Sequence, residues 1–196
     1  VKNFGFDFEL EEIKNLMRRR RMSLENAKAN LKEFGKDLNL EGLDFDENDT
    51  CILGIDNTFS LHLTYERNSD RLYLYSPILD GLPKDTTTKL KLYETLLEGS
   101  MLGGQMAGGG VGVAVKEELI LMHCVIEMGS GADTSSLRRF APLFVESVEK
   151  WRARAGKIID GIDVSAEMAE SRPGAQPQMK PSTGQMNPGD RFMKKI

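Results

Sequence analysis

The stretch 96–115, LLEGSMLGGQMAGGGVGVAV, constrains the fold of this chain more than any other. An apolar helix end runs directly into a loop dominated by glycine, and that loop feeds a short β-branched strand. Each glycine ordered on folding costs extra backbone entropy, so the run needs a structural reason. Three reasons compete: a phosphate cradle, a catalytic loop, or a close-packed corner between helix and strand. A P-loop requires Gly-x-x-x-x-Gly-Lys-Ser/Thr. Gly104 and Gly109 have the glycine spacing, but Gly110 and Val111 stand where the lysine and the hydroxyl belong. A P-loop also runs from strand to helix, and this loop runs from helix to strand. The dinucleotide fingerprint fails on the same ground. Gly103-Gly104-Gln105 matches the GGQ tripeptide of peptide-release factors, with nothing else in the chain to suggest tRNA. The corner is the reading that remains.

The flanking sequence reads as an ordered series of elements. Ser23 is a good helix N-cap, and Leu24, Ala27, Leu31, Phe34 and Leu38 fall on one stripe, closing near Gly35–Leu38. Three strand-like runs follow, TCILGI, TFSLHLTY and RLYLYSPI, separated by Asp56-Asn57 and by the polar cluster 66–70. They read as an antiparallel meander. A two-residue turn at Asp56-Asn57 puts Ile52 on the buried face with Phe59, Leu61, Leu63 and Tyr65. A three-residue turn puts Cys51, Leu53 and Ile55 there, and the sequence leaves both open. Pro77 and Pro83 are expected to bound a loop. A second helix over about Asp85–Met101 carries Leu90, Leu92, Tyr93, Leu96, Leu97 and Met101, more than one narrow stripe, so it is expected to be buried on two sides. After the glycine run come VGVAV and LILMHCVIEM, the latter apolar on both faces as in a central strand. Asp133 or Thr134 starts a third helix with Leu137, Phe140, Ala141, Phe144, Val148, Trp151 and Ala155 on one face. The expected fold class is α+β, in the order α-β-β-β-α-β-β-α, with a twisted antiparallel sheet flanked by helices. Three regions are expected. Residues 1–21 are an N-terminal extension with helical spacing at Leu10, Ile13 and Leu16/Met17, ahead of a start-like MSLENAKANL. Residues 22–160 form the folded domain. Residues 161–196 are a disordered tail rich in Pro, Gly, Gln and Met.

Few groups in the chain suggest chemistry. Cys51, His62, His123 and Cys124 are the residues a zinc site would use, but His123 and Cys124 are strand neighbours and so face opposite ways. The expectation is two core thiols and two strand histidines, with no metal site. No Ser or Cys sits in a nucleophile elbow, and the pairs Glu11-Glu12 and Glu117-Glu118 read as solvated, so no catalytic residue is assigned. Arg18–Arg21 is the one basic run, and it keeps a nucleic-acid-associated protein as the alternative function. The net charge of −4 and pI of about 5.4 argue against that alternative. No apolar run approaches the roughly 20 residues that span a bilayer. With two apolar-run cysteines and no signal-like N-terminus, a cytoplasmic protein is expected.

The string LLEGSMLGGQMAGGGVGVAVKEELILMH, in that element order and with that acidity, closely resembles class I type III secretion chaperones, the CesT/Tir-chaperone family. The resemblance covers about 22–157. TCILGIDNTFSLHLTYERNSDRLYLYSPILDGLP and EGSMLGGQMAGGGVGVA are similar to its chlamydial multi-cargo branch, the Slc type. The resemblance implies a bacterial cytoplasmic homodimer with no enzymatic activity and no cofactor. Such a dimer binds the disordered N-terminal segment of type III effectors, keeping it extended and secretion-competent, with the secretion ATPase or sorting apparatus as a further partner. It implies a dimer interface on the second helix, at Leu92, Tyr93, Leu96, Leu97 and Met101. Cargo binding is expected by strand addition and apolar pockets in a groove between the first helix and the sheet, where Leu31, Phe34, Leu38, Leu53, Leu61, Leu63, Leu72 and Leu74 are candidates.

Overall fold

The structure, a computed structural model, describes residues 4–40, 42–129, 131–170 and 192–194. The first helix, α1, runs unbroken from Phe4 to Asp37. It therefore takes in the expected extension, and Ser23 does not cap it. Ser23 lies inside the helix, fully buried, because the chain on both sides of it holds helical spacing and no breaker intervenes. Leu10, Ile13 and Leu16 lie outside the residues whose side chains are described, and Met17 is exposed.

The meander follows as β1 (Thr50–Ile55), β2 (Phe59–Glu66) and β3 (Arg71–Asp80). Ile55 pairs with Phe59 across a three-residue turn, Asp56 to Thr58. Asp56 and Asn57 both take positive φ, which Asp and Asn tolerate better than most residues. That turn decides the open register, and Cys51, Leu53 and Ile55 point into the core. The strand β3 passes through Pro77, where a loop was expected. A bulge between Pro77 and Leu79 accommodates the missing N–H, and Ile78 stays buried.

Helix α2 (Thr86–Ser100) begins at Asp85, whose carboxylate accepts from Thr88 N at 2.7 Å. The glycine run leads into β4 (Gly110–Ala114), and β5 (Leu119–Glu127) returns beside β3. Only alternate residues of β5 are buried, Ile120, Met122, Cys124 and Ile126. The strand is central in the sheet, but one of its faces is uncovered in the single chain. Helix α3 (Ser136–Ile159) packs across the sheet, with α1 and α2 against it. Phe140, expected on its core face, is 42% exposed, while Val145 fills the buried stripe.

Two features depart from the expected tail. A short helix, α4 (Ser165–Glu170), follows α3. Val164 and Met168 are buried beneath it, and Glu167 pairs with Arg154 and Lys157, so apolar anchors and an ion pair order this part. A short strand, β6 (Phe192–Lys194), then pairs with β1. Residues 171–191 lie outside the described part. The sheet order is β4-β5-β3-β2-β1-β6, every pairing antiparallel.

Candidate functional site

The glycine run is a corner. Gly99, in the last turn of α2, lies against the Trp151 ring so closely that a β-carbon would overlap it. Gly103 (φ +68°) and Gly108 (φ +80°) take left-handed backbone, and a β-carbon on Gly103 would sit 2.6 Å from Gly108 C. Gly109 presses onto the His123 backbone with no room for a side chain. The corner is clamped from α3. Trp151 Nε1 donates to Gln105 O at 2.9 Å, and Arg154 Nη1 donates to Gln105 Oε1 at 3.2 Å. Arg154 also lies over the Trp151 ring at 4.9 Å. Gln105 tethers the corner to α3 through its main chain and its side chain.

A second clamp went unread in the sequence. Asn26 and Asn30 stand one turn apart on α1. Asn26 Nδ2 donates to Met128 O and Gly129 O, at 3.1 and 3.0 Å. The fully buried Asn30 donates to Asp133 O at 3.1 Å and accepts from Leu137 N at 3.0 Å. The pair fastens α1 to the connection between β5 and α3. Asparagine at i and i+4 on the buried side of an amphipathic helix was the available signal.

The structure places all eight residues predicted for cargo contact in the hydrophobic core. Leu31, Leu53, Leu61, Leu63, Leu72 and Leu74 are 0% exposed, Phe34 2% and Leu38 6%. They join α1 to the sheet and have no surface to offer a partner in this conformation. Strand alternation puts Leu53, Leu61, Leu63, Leu72 and Leu74 on one face of the sheet, and helices cover that face. A cleft of about 660 Å³ opens instead at the C-terminal end of α1, where Lys28, Lys32 and Lys36 stand one turn apart above Leu40 and Leu43.

The five residues predicted on α2 separate into two faces. Leu92 and Leu96 are buried against the body, and Tyr93 is half-buried. Leu97 and Met101 are 64% and 69% exposed. Leu90 extends the exposed stripe at helical spacing, and Leu102, at φ 55°, is almost wholly in solvent. Sequence reading placed Leu90 on the helix without assigning it to this face, and it passed over Leu102. Positive φ on a non-glycine residue such as Leu102 costs of order 1 kcal/mol or more.

The zinc candidates divide between the faces of the sheet. Cys51 and Cys124 are buried under the helices, and burial pushes the Cys124 thiol up to about 12. His62 and His123 lie on the opposite face, where His62 stacks on Tyr75 at 4.9 Å between ring centres. Among the described residues no group of three or more His, Cys, Asp or Glu could hold a metal ion. No described helix is long and apolar enough to cross a membrane. Of the basic run, Arg18 and Arg21 are exposed on α1. The side chains of Arg19 and Arg20 lie outside the described residues.

Comparison with known proteins gives these features a family. The chain is similar to a chain of the HopA1-SchA chaperone-effector complex, at 26% identity and a TM-score of 0.54, covering 67% of this chain and 97% of that one. It shares the fold of a chain of the ExsC-ExsE complex, at 16% identity and a TM-score of 0.50, over 63% and 89% of the two chains. A third similar structure, of the Yersinia pestis type III secretion chaperone SycH with a stable fragment of YscM2, matches at 17% identity and a TM-score of 0.49, over 64% and 98%. No curated protein sequence matches the chain. The family profile covers residues 29–152, from the C-terminal part of α1 through Trp151 and Arg152 on α3, and the chain belongs to the Tir chaperone protein (CesT) family.

Proposed function

We propose that this chain is a type III secretion chaperone that binds the N-terminal segment of effector proteins and holds it extended and secretion-competent in the bacterial cytoplasm. The family match over residues 29–152 carries this reading. The likeness to a chain of a chaperone-effector complex, over 97% of that chain, supports it. The role is binding, without catalysis or cofactor. Two strings carry the finer placement in the multi-cargo Slc branch, TCILGIDNTFSLHLTYERNSDRLYLYSPILDGLP and EGSMLGGQMAGGGVGVA.

The working unit is a homodimer. Leu90, Leu97, Met101 and Leu102 form an apolar stripe beside β4, and a two-fold axis through it covers each copy with the other. Leu92 and Leu96 support that stripe from the core side. Cargo joins the sheet as an added strand and sets apolar side chains in surface pockets. Ordering an unfolded segment costs several kcal/mol, so the contact must be extensive. The seven core leucines and Phe34 shape the sheet beneath that contact. The secretion ATPase or sorting apparatus is the partner that takes over the loaded chaperone. Affinity capture of the tagged protein from its source cell, with mass spectrometry, tests the reading. Effectors should be recovered in stoichiometric amounts and released only on unfolding. Recovery of RNA, with loss of the complex on adding salt, would favour the Arg18–Arg21 alternative instead.

A further inference from the structure

The sheet has five strands from the family domain and one from outside it. β4 and β1 are the edges of the five-stranded part, and they differ in what lies beside them. β4 neighbours α2 and its exposed apolar stripe. The outer edge of β1 carries β6, with Phe192 opposite Ile55, Met193 opposite Gly54 and Lys194 opposite Leu53. The sixth strand comes from the far C-terminus, separated from the end of α4 by the 21 residues 171–191.

We infer that the outer edge of β1 is a strand-docking site whose resident occupant is this chain's own C-terminal segment, and that an incoming extended segment must displace Phe192–Lys194. This rests on the reading that cargo joins the sheet as an added strand. An open edge presents unpaired N–H and C=O groups, a template for pairing with any extended chain. β6 covers Leu53 to Ile55, the second half of the six-residue β1. Three paired residues form a weak contact on their own. Tethering offsets this, because a segment on the same chain is present at an effective concentration of order millimolar. The occupant is thus held tightly enough to shield the edge and loosely enough to leave. A partner strand pairing along all of Thr50–Ile55 replaces it by making about twice the main-chain contact.

The occupant also indicates which partner fits. Its sequence, Arg191-Phe192-Met193-Lys194-Lys195, is apolar at the centre and basic at both ends, on a chain of net charge −4. The edge suits an extended, basic, apolar-centred peptide free of proline at the pairing positions.

The test uses the full chain and a labelled peptide of its residues 188–196, PGDRFMKKI. A double variant, Phe192→Pro with Met193→Pro, removes successive N–H groups from the tail strand and blocks its pairing whichever residue faces β1. The peptide should bind the double variant at least about tenfold more tightly than the intact protein, because the resident strand no longer competes. The amides of Leu53 to Ile55 should exchange with solvent at least about tenfold faster in the variant, and adding peptide should restore their protection. Equal affinity for both proteins, binding to neither, or unchanged exchange would each overturn the inference. Circular dichroism checks that the body of the variant is folded. No effector is used, so the outcome is independent of the capture experiment that tests the chaperone reading.

Discussion

At the residue scale, the interior is most sensitive where a single side chain serves two elements. Asn30 satisfies the Leu137 N–H from inside the core, and Ala there would leave that donor buried and unpaired. Asn30→Ala should destabilise the protein by about 1–3 kcal/mol, read as a lower urea midpoint with an unchanged m-value. Gly99→Ala drives a methyl into the Trp151 ring. It should cost about 1–3 kcal/mol and shift the Trp151 fluorescence, since the ring must move and strain its bond to Gln105. Cys124 gives a pH test. The fold favours its neutral thiol, so its contribution is fully present below the ordinary value of 9.0 and is lost as pH rises from there toward about 12. Thermal stability should fall across that range, and less steeply in Cys124→Val. An equal slope in both proteins would remove Cys124 from the account. The asparagine clamp was hidden in the sequence because a polar residue on a helix reads as solvent-facing until its partners, about 100 positions away, are known.

At the element scale, α2 shows what periodicity reveals and where it stops. Its two-sided apolar pattern was legible, but the division between the sides was not, because adjacent residues such as Leu96 and Leu97 differ by only 100° of helix rotation. The structure makes Leu96 core and Leu97 surface. Leu97→Asp with Met101→Asp should give a folded monomer by light scattering at micromolar concentration, with unchanged far-ultraviolet circular dichroism. Leu96→Asp should unfold the chain. A double variant that remains dimeric would place the interface elsewhere. The strands were legible by alternation, but the face of Leu53 was not, because it depends on whether the Asp56 turn holds two residues or three. Which side remains open after the helices dock is a tertiary property, and no strand pattern encodes it. Proline misled at Pro77 because a bulge can absorb the missing donor. The tail misled because two buried apolar residues, Val164 and Met168, suffice to anchor one turn of helix against an existing core.

At the scale of the whole molecule, the glycine corner, the asparagine clamp and the buried leucines build one rigid sheet-and-helix body. Its remaining resources are on the outside: an apolar stripe on α2, a lysine-lined cleft at the end of α1, and a sheet edge occupied by the chain's own terminus. Each of these features suits contact with another chain. The order of elements was readable because every segment carries its own period and punctuation. The functional surface was less so, since exposure depends on which segments cover which. The most direct test is co-expression with the N-terminal segments of type III effectors from the source cell, followed by size exclusion with light scattering. The account expects a stable complex of two chaperone chains, about 44 kDa for twice the 21.9 kDa chain, plus one effector segment that stays extended and protease-sensitive outside the contact. A chain that elutes alone, with no effector segment bound, would contradict it.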